Sequence, residues 1–363
     1  MKKILIYIAL LFITGIIILN PERSISYALD GLGICYEVII PSLFPFFVCS
    51  GLLIYSGFCN ELSKVMRPVM KPLFNINGSG AAAFVLGIIS GYPLGALTAC
   101  QLYEGNYLSK TETERLLAFC NNSGPLFILG SVGISMYHSL ELGIMLYISH
   151  ILAAVTVGII MRCYGKNKYT PPYTPINTES KSMGEIFQTV LSNSINSILT
   201  VCGAVIFCSV LSKSFLELMP AKGVVHSVVL GAMEFVSGMS ELSGQSISTV
   251  SKLMLASWIV GFAGVSVHLQ VMAVVARYKL SLKPYIAGKL MHGLISALYT
   301  WILWKIFSPY CSVSATGSIS YIFFTSSLYT ILASAAIIGI CIGAVVLLFF
   351  KESGQLKRKM KIR

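Results

Sequence analysis

Charge is what this chain has least of. Only 11% of its 363 residues are charged, a single aspartate (Asp30) is among them, and there are three tryptophans and five histidines. With 55% hydrophobic residues and a mean hydropathy of +0.79, the chain reads as a polytopic membrane protein. Other absences narrow the function. No HExxH, P-loop or GxSxG pattern occurs, and one aspartate cannot build an Asp-rich cation motif, so the chain reads as a non-enzyme. The ten cysteines include no CxxC pair and no Cys/His metal spacing, so no metal or cofactor is expected and they read as packing residues in lipid.

The net charge of +12 does not point to nucleic acid, because the basic residues are spread over short loops and the tail Lys357–Arg363. That distribution is the positive-inside bias of a membrane protein, with a tail suited to anionic lipid headgroups. Apolar stretches near the bilayer-spanning length of about 20 residues lie at 4–19, 33–57, 79–103, 116–136, 139–162, 184–212, 223–248, 253–276, 285–307 and 321–350. Met1-Lys2-Lys3 and the run that follows read as an uncleaved signal anchor.

Several of these stretches are interrupted, and the interruptions recur. Ser90-Gly91-Tyr92-Pro93, Asn121-Asn122-Ser123-Gly124-Pro125 and His150 occur in order. Roughly 140 residues later come Ser237-Gly238-Met239-Ser240, Gly261-Phe262-Ala263-Gly264 and His292, the pattern of a duplicated transporter core. The expected organisation is an N-terminal signal-anchor helix (1–24), a first repeat (33–163), a cytosolic Pro-rich linker (164–183), a second repeat (184–308), and a C-terminal helix with a basic tail (309–363). One re-entrant hairpin per half leaves three crossings in each, so the repeats are inverted, with eight crossings in all and both ends cytosolic. The Lys/Arg distribution favours one hairpin per half without choosing between the earlier and the later broken segment. The fold class expected is all-α, with inverted repeats, broken helices and re-entrant hairpins.

Polar breaks at mid-membrane depth must find partners in protein or line a cavity, since lipid satisfies no backbone group. Free N–H groups at half-helix starts meet anions, and amides or hydroxyls read polar edges. Candidate substrate-binding residues are therefore Ser90, Gly91, Tyr92, Pro93, Asn121, Asn122, Ser123 and Gly124 in the first half, and Ser237, Ser240 and Ser266 in the second. The competing reading is a set of kinks packed on small residues. Glu234 and Glu241 are candidate coupling groups, because an intramembrane carboxylate is costly; Glu234 could instead pair with Lys289. His150 and His292, at matched positions, suit a shared packing or gating role. Alone, these residues point to a small polar or anionic solute, with membrane lipids as the other partner and a homo-oligomer left open.

Pro41-Ser42-Leu43-Phe44-Pro45-Phe46, Ser90-Gly91-Tyr92-Pro93-Leu94-Gly95-Ala96 and Glu114-Arg115-Leu116-Leu117-Ala118-Phe119, leading into Asn121–Phe127, resemble the sporulation integral membrane protein YlbJ family. That family belongs with the nucleoside-recognition, or Gate-domain, membrane proteins and is similar in architecture to concentrative nucleoside transporters. The resemblance implies that the earlier broken segment of each half is the hairpin and the later one an unwound crossing helix. It also implies a multi-pass protein of the outer forespore membrane that moves dipicolinic acid, a flat aromatic dianion. The Gln-Thr-Glu-type hairpin signature of true nucleoside carriers is absent, which argues against a nucleoside. The alternatives are a nucleoside or small-solute transporter or ion gate, and a non-transport scaffold needed for spore maturation.

Overall fold

The computed structural model describes residues 2–165, 182–217 and 222–307, and every regular element among them is helical. Most of the Pro-rich linker and the stretch 321–350 lie outside the described residues. Among the described residues, five helical segments are long and apolar enough to cross a bilayer: Pro21–Tyr55, Leu140–Met161, Met183–Glu217, Thr249–Tyr278 and Lys283–Phe307. The chain is an all-α polytopic membrane protein.

Helix α1 (Lys2–Leu19) leads at Asn20 into α2 (Pro21–Ile34), which continues through a π-helical turn, Cys35–Ile39, into α3 (Ile40–Tyr55). Residues 21–32 therefore belong to the first long helix of the core. Its Pro45 stays inside α3, as prolines can within membrane-spanning helices. Helix α4 (Phe58–Phe74) differs in kind. It places charges on one side and apolar residues on the other, ends at Asn75 in the left-handed region (φ 55°), and meets the next helix at 99°. Such a helix suits the membrane interface.

Two pairs of short helices turn back on themselves. The first is α5 (Ala81–Ser90) and α6 (Leu94–Glu104), the second α10 (Val224–Met233) and α11 (Phe235–Ser243). Both are closed by glycines. A Cβ on Gly87 would lie 3.1 Å from the Cα of Gly95, and one on Gly238 would lie 2.1 Å from the Cα of Gly231. Backbones this close need residues without side chains, the small-residue rule of helix pairs in lipid. The earlier broken segment of each half is thus the hairpin.

The later broken segments run on instead of folding back. Helix α7 (Lys110–Cys120) unwinds over Asn121–Gly124 and resumes as the π-helical segment Leu126–Met136, followed by α8 (Leu140–Met161). In the second half α9 (Met183–Glu217) precedes the hairpin. Helix α12 (Thr249–Phe262) then breaks at Ala263 (φ 74°) into α13 (Gly264–Val275), before α14 (Lys283–Phe307). Each half therefore reads long helix, hairpin, broken helix, long helix. Side-chain caps fix the starts: Ser109 and Glu112 form a capping box on α7, Ser139 accepts from Leu142 N (3.2 Å), and Ser248 from Ser251 N (3.3 Å).

The halves pack through matching elements, α2 on α9 and α8 on α14. The lone aspartate is used here, since Asp30 on α2 pairs with Lys213 on α9 (2.6 Å) near the Arg23–Glu217 pair (2.9 Å). At the opposite end of the first half, Arg115 is buried with each guanidinium nitrogen donating to a backbone carbonyl: Nε to Tyr164 O (2.7 Å), and the two terminal nitrogens to Asn75 O (2.9 Å) and Gly165 O (2.8 Å). It ties the ends of α4 and α8 to α7.

The glycine seams give a direct test. Gly238→Ala drives a methyl into the facing backbone and should lower the melting temperature of purified protein or abolish folding, a cost of about 1–3 kcal/mol or more. Gly203→Ala on α9, with no atom within 4 Å of its added carbon, should leave stability unchanged or slightly raised. Equal effects of the two would contradict the hairpin seam.

Candidate functional site

The hairpin tips and the helix breaks are stacked on one another. At the first tip Gly91 has φ 85° and the Tyr92–Pro93 peptide is cis. A Cβ on Gly91 would lie 3.0 Å from the amide nitrogen of Gly124 in the first break. The carbonyl of Cys120, the last residue of α7, faces the seam: a Cβ on Gly87 or Gly95 would lie 1.8 or 2.1 Å from its oxygen. In the second half Gly264 takes the equivalent position, where a Cβ would lie 3.1 Å from Gly231 O and 3.2 Å from Phe235 N. Each tip thus covers the break of its own half, keeping interrupted backbone off lipid.

The two tips then meet across the repeats. Tyr92 and Phe235 hold the same place in their halves, and their rings pack edge to face at 5.3 Å, with Phe127 against Phe235 at 5.2 Å. Between them is a cavity of about 20 Å³ whose lining includes Tyr92, Ser123, Gly124, Phe127, Phe235 and Gln270. That volume holds about one water molecule, so the tips are closed over the site. A larger crevice of about 640 Å³, between α1, α2 and α9, is lined almost wholly by apolar side chains and stands apart from the polar groups.

The matched histidines lie where the repeats join. The rings of His150 on α8 and His292 on α14 are 4.3 Å apart. His292 Nε2 lies 3.0 Å from the His150 carbonyl, which it reaches as a donor, while His150 Nε2 accepts from Ser123 N at 3.1 Å. The second contact assigns His150 a neutral ring with its proton on Nδ1. It also gives a free backbone donor of the first break its partner. Asn122 serves the other side of that break, donating Nδ2 to Phe119 O at 2.8 Å and so capping α7.

Polar atoms with no partner within the protein concentrate around this junction. Among the described residues they include the Tyr92 hydroxyl, both side-chain amide atoms of Asn121, Asn122 Oδ1, Ser237 Oγ, Ser266 Oγ, Gln270 Oε1 and Lys289 Nζ. Tyr285, whose hydroxyl bonds His268 Nδ1 (3.0 Å), lies beside Asn121. A protein ordinarily leaves few such atoms buried, because each costs about 1–3 kcal/mol.

The candidate residues divide accordingly. Tyr92, Asn121, Asn122, Ser123, Gly124, Ser237 and Ser266 belong to the junction of tips and breaks, and Gly91 and Pro93 shape the first tip. Ser90 is buried, but its hydroxyl is hydrogen-bonded to that of Ser50 on α3. Ser240 is exposed on α11. Glu234 and Glu241 are separated. Glu234 sits at the second tip and caps α11 by accepting from Val236 N (3.1 Å) and Ser237 N (2.6 Å), whereas Glu241 is at the hairpin base with His226 (2.7 Å) and Ser227 (3.1 Å). Lys289 forms no ion pair with Glu234, since its ammonium has no hydrogen-bonding partner. Sequence reasoning considered Lys289 only as a counter-ion. Its signal was there: one lysine inside an apolar helix, three residues before His292 and hence on the same face.

Paired hairpins, helices broken beneath their tips and a polar junction at their meeting point make this an all-α polytopic membrane protein with broken and folded-back helices. Residues 37–167, the first half almost entire, match the Gate family model described as nucleoside recognition. The chain is 31% identical over 331 residues to the sporulation integral membrane protein YlbJ of Bacillus subtilis (strain 168), with 81% of each chain covered. It belongs to the sporulation integral membrane protein YlbJ family. No solved structure matches it.

Binding and packing roles separate within the first break. Asn122→Leu removes the donor to Phe119 O and should lower the melting temperature, by the roughly 1–3 kcal/mol of a buried unsatisfied group. Asn121→Leu, of similar volume, removes only a contact with Tyr285, whose hydroxyl keeps His268 Nδ1 as partner, and should leave it unchanged or nearly so. A large loss of stability from Asn121→Leu would assign that side chain to packing.

Proposed function

We propose that this protein is a carrier, not an enzyme, and that it moves dipicolinic acid, a small aromatic dianion, across the outer forespore membrane during sporulation. The observation that carries this reading is the concentration of unpaired buried polar atoms where the two tips and two breaks converge. Atoms left unpaired by the protein are available to a solute, and in inverted-repeat carriers the solute binds at this place, between repeats and at broken helices.

The chemistry suits a flat, polar-edged ring. Tyr92, Phe127 and Phe235 supply aromatic faces, Asn121 both a donor and an acceptor, and the start of α6 beyond Pro93 a half-helix N-terminus without a side-chain cap. The closed tips fit an occluded state, with access requiring one hairpin to lift from the break it covers. Membership of a sporulation family supports the setting. The second reading, a neutral nucleoside, draws on the description of the matching family model.

Glu234 is the proposed coupling group. Its carboxylate caps α11 at the tip, so a proton taken there weakens the cap and removes a negative charge from beside an anion site. Glu241, held by His226 and Ser227, is proposed to support the base of the same hairpin.

Purified protein in liposomes should accumulate labelled dipicolinate under a pH or potential gradient and discriminate against uridine. Flux of uridine alone would establish the second reading, and flux of neither, with normal dipicolinate loading in sporulating cells of a deletion strain, would defeat both. Glu234→Gln should abolish pH-driven accumulation while leaving downhill flux; an unchanged pH response would remove Glu234 from coupling.

A further inference from the structure

We infer that Lys289 is the charge-selecting residue of this site, its ammonium the direct ligand of a carboxylate on the solute. The inference rests on the carrier reading above and names what that reading leaves open, which group distinguishes an anion from a neutral ring of the same shape. Lys289 lies on α14 with no exposed surface, its Nζ has no hydrogen-bonding partner among the described residues, and it stands 5.9 Å from the centre of the Tyr92 ring. Among the described residues its ionisable neighbours include Tyr92, Cys120, His150, His268 and His292, and no carboxylate is recorded beside it.

A structural lysine would be arranged differently. The buried cation of the first half, Arg115, has each guanidinium nitrogen on a carbonyl, and the lysine between α2 and α9, Lys213, has Asp30. Lys289 has neither, although a cation inside a bilayer costs at least about 2.5–3.5 kcal/mol. Nor does the repeat demand it. The matched position in the first half is Tyr147, whose hydroxyl donates to Ile88 O (3.4 Å), so the scaffold tolerates a neutral residue there. A lysine without a counter-ion, beside the tip tyrosine and on the same face as His292, completes its hydrogen bonds when an anion enters, and charge-assisted bonds are the strong ones. The Tyr92 face packs beside the same position, so one place offers a carboxylate ligand and an aromatic wall.

The test uses two solutes of one shape. Dipicolinate and pyridine-2,6-dicarboxamide differ in charge and hardly in size, and their fluxes would be compared in liposomes carrying the full chain or Lys289→Gln. The full chain should move the dianion and reject the diamide. In Lys289→Gln the preference for dianion over diamide should fall at least tenfold, with the melting temperature unchanged or raised, because removing an unpaired buried charge relieves a cost. Lys289→Arg should retain preference for the dianion. A full chain that moves dipicolinate, with an unaltered preference in Lys289→Gln, would overturn the inference and leave the carrier reading standing. A full chain that moves neither solute would defeat the carrier reading, and this inference with it. If Lys289→Gln and Lys289→Met both fail to fold while Lys289→Arg folds, Lys289 is a structural cation and the inference is wrong.

Discussion

Lipid satisfies no hydrogen bond, and every unusual feature of this chain follows from how it meets that constraint. A helix crossing the bilayer satisfies itself, but one interrupted at mid-depth exposes carbonyls at one side of the break and amides at the other. Here the exposed groups are covered by another interruption. The Gly91 tip lies on Gly124, and Gly264 lies against the Gly231–Phe235 turn. Within the first break His150 and Asn122 take up one donor and one acceptor. Because tip and break protect each other, lifting a hairpin would leave both in need of partners.

The halves share this plan but divide the chemistry. The first break is Asn121-Asn122-Ser123, rich in amide and hydroxyl, whereas the second is Ala263-Gly264 and contributes only backbone. The charged groups, Glu234 and Lys289, come from the second half. Duplication supplied a frame in which His150 meets His292 and Tyr92 meets Phe235. The polar side chains of the junction thus come chiefly from the first half, and Glu234 and Lys289 from the second.

Much of this was legible in the sequence, for a physical reason. Gly, Pro, Asn and Ser at membrane depth are costly in a helix, so the breaks at 90–93 and 121–125 and their counterparts marked the architecture. Choosing the hairpin was beyond the Lys/Arg pattern, since either choice leaves nearly the same charges on each side. The contacts of Gly87 with Gly95 and of Gly231 with Gly238 settle that choice, but only in three dimensions, since Gly133 and Gly143 are spaced much the same and meet across the turn into α8. Residues on the second hairpin were harder to place. Ser240 and Glu241 share a short helix with Ser237, but they lie away from the tip, and proximity in sequence did not show where the chain turned. Lys289 was visible as an intramembrane charge; that no carboxylate faces it required the three-dimensional arrangement.

The central claim is that a solute supplies the partners missing at the junction of tips and breaks. A structure determined with dipicolinate bound tests it most directly. The account predicts the solute between the Tyr92 and Phe235 tips, with a carboxylate within hydrogen-bonding distance of Lys289 Nζ and its edge on the Asn121 amide. Dipicolinate bound elsewhere, for instance in the apolar crevice between α1, α2 and α9, with the junction unchanged, would contradict it.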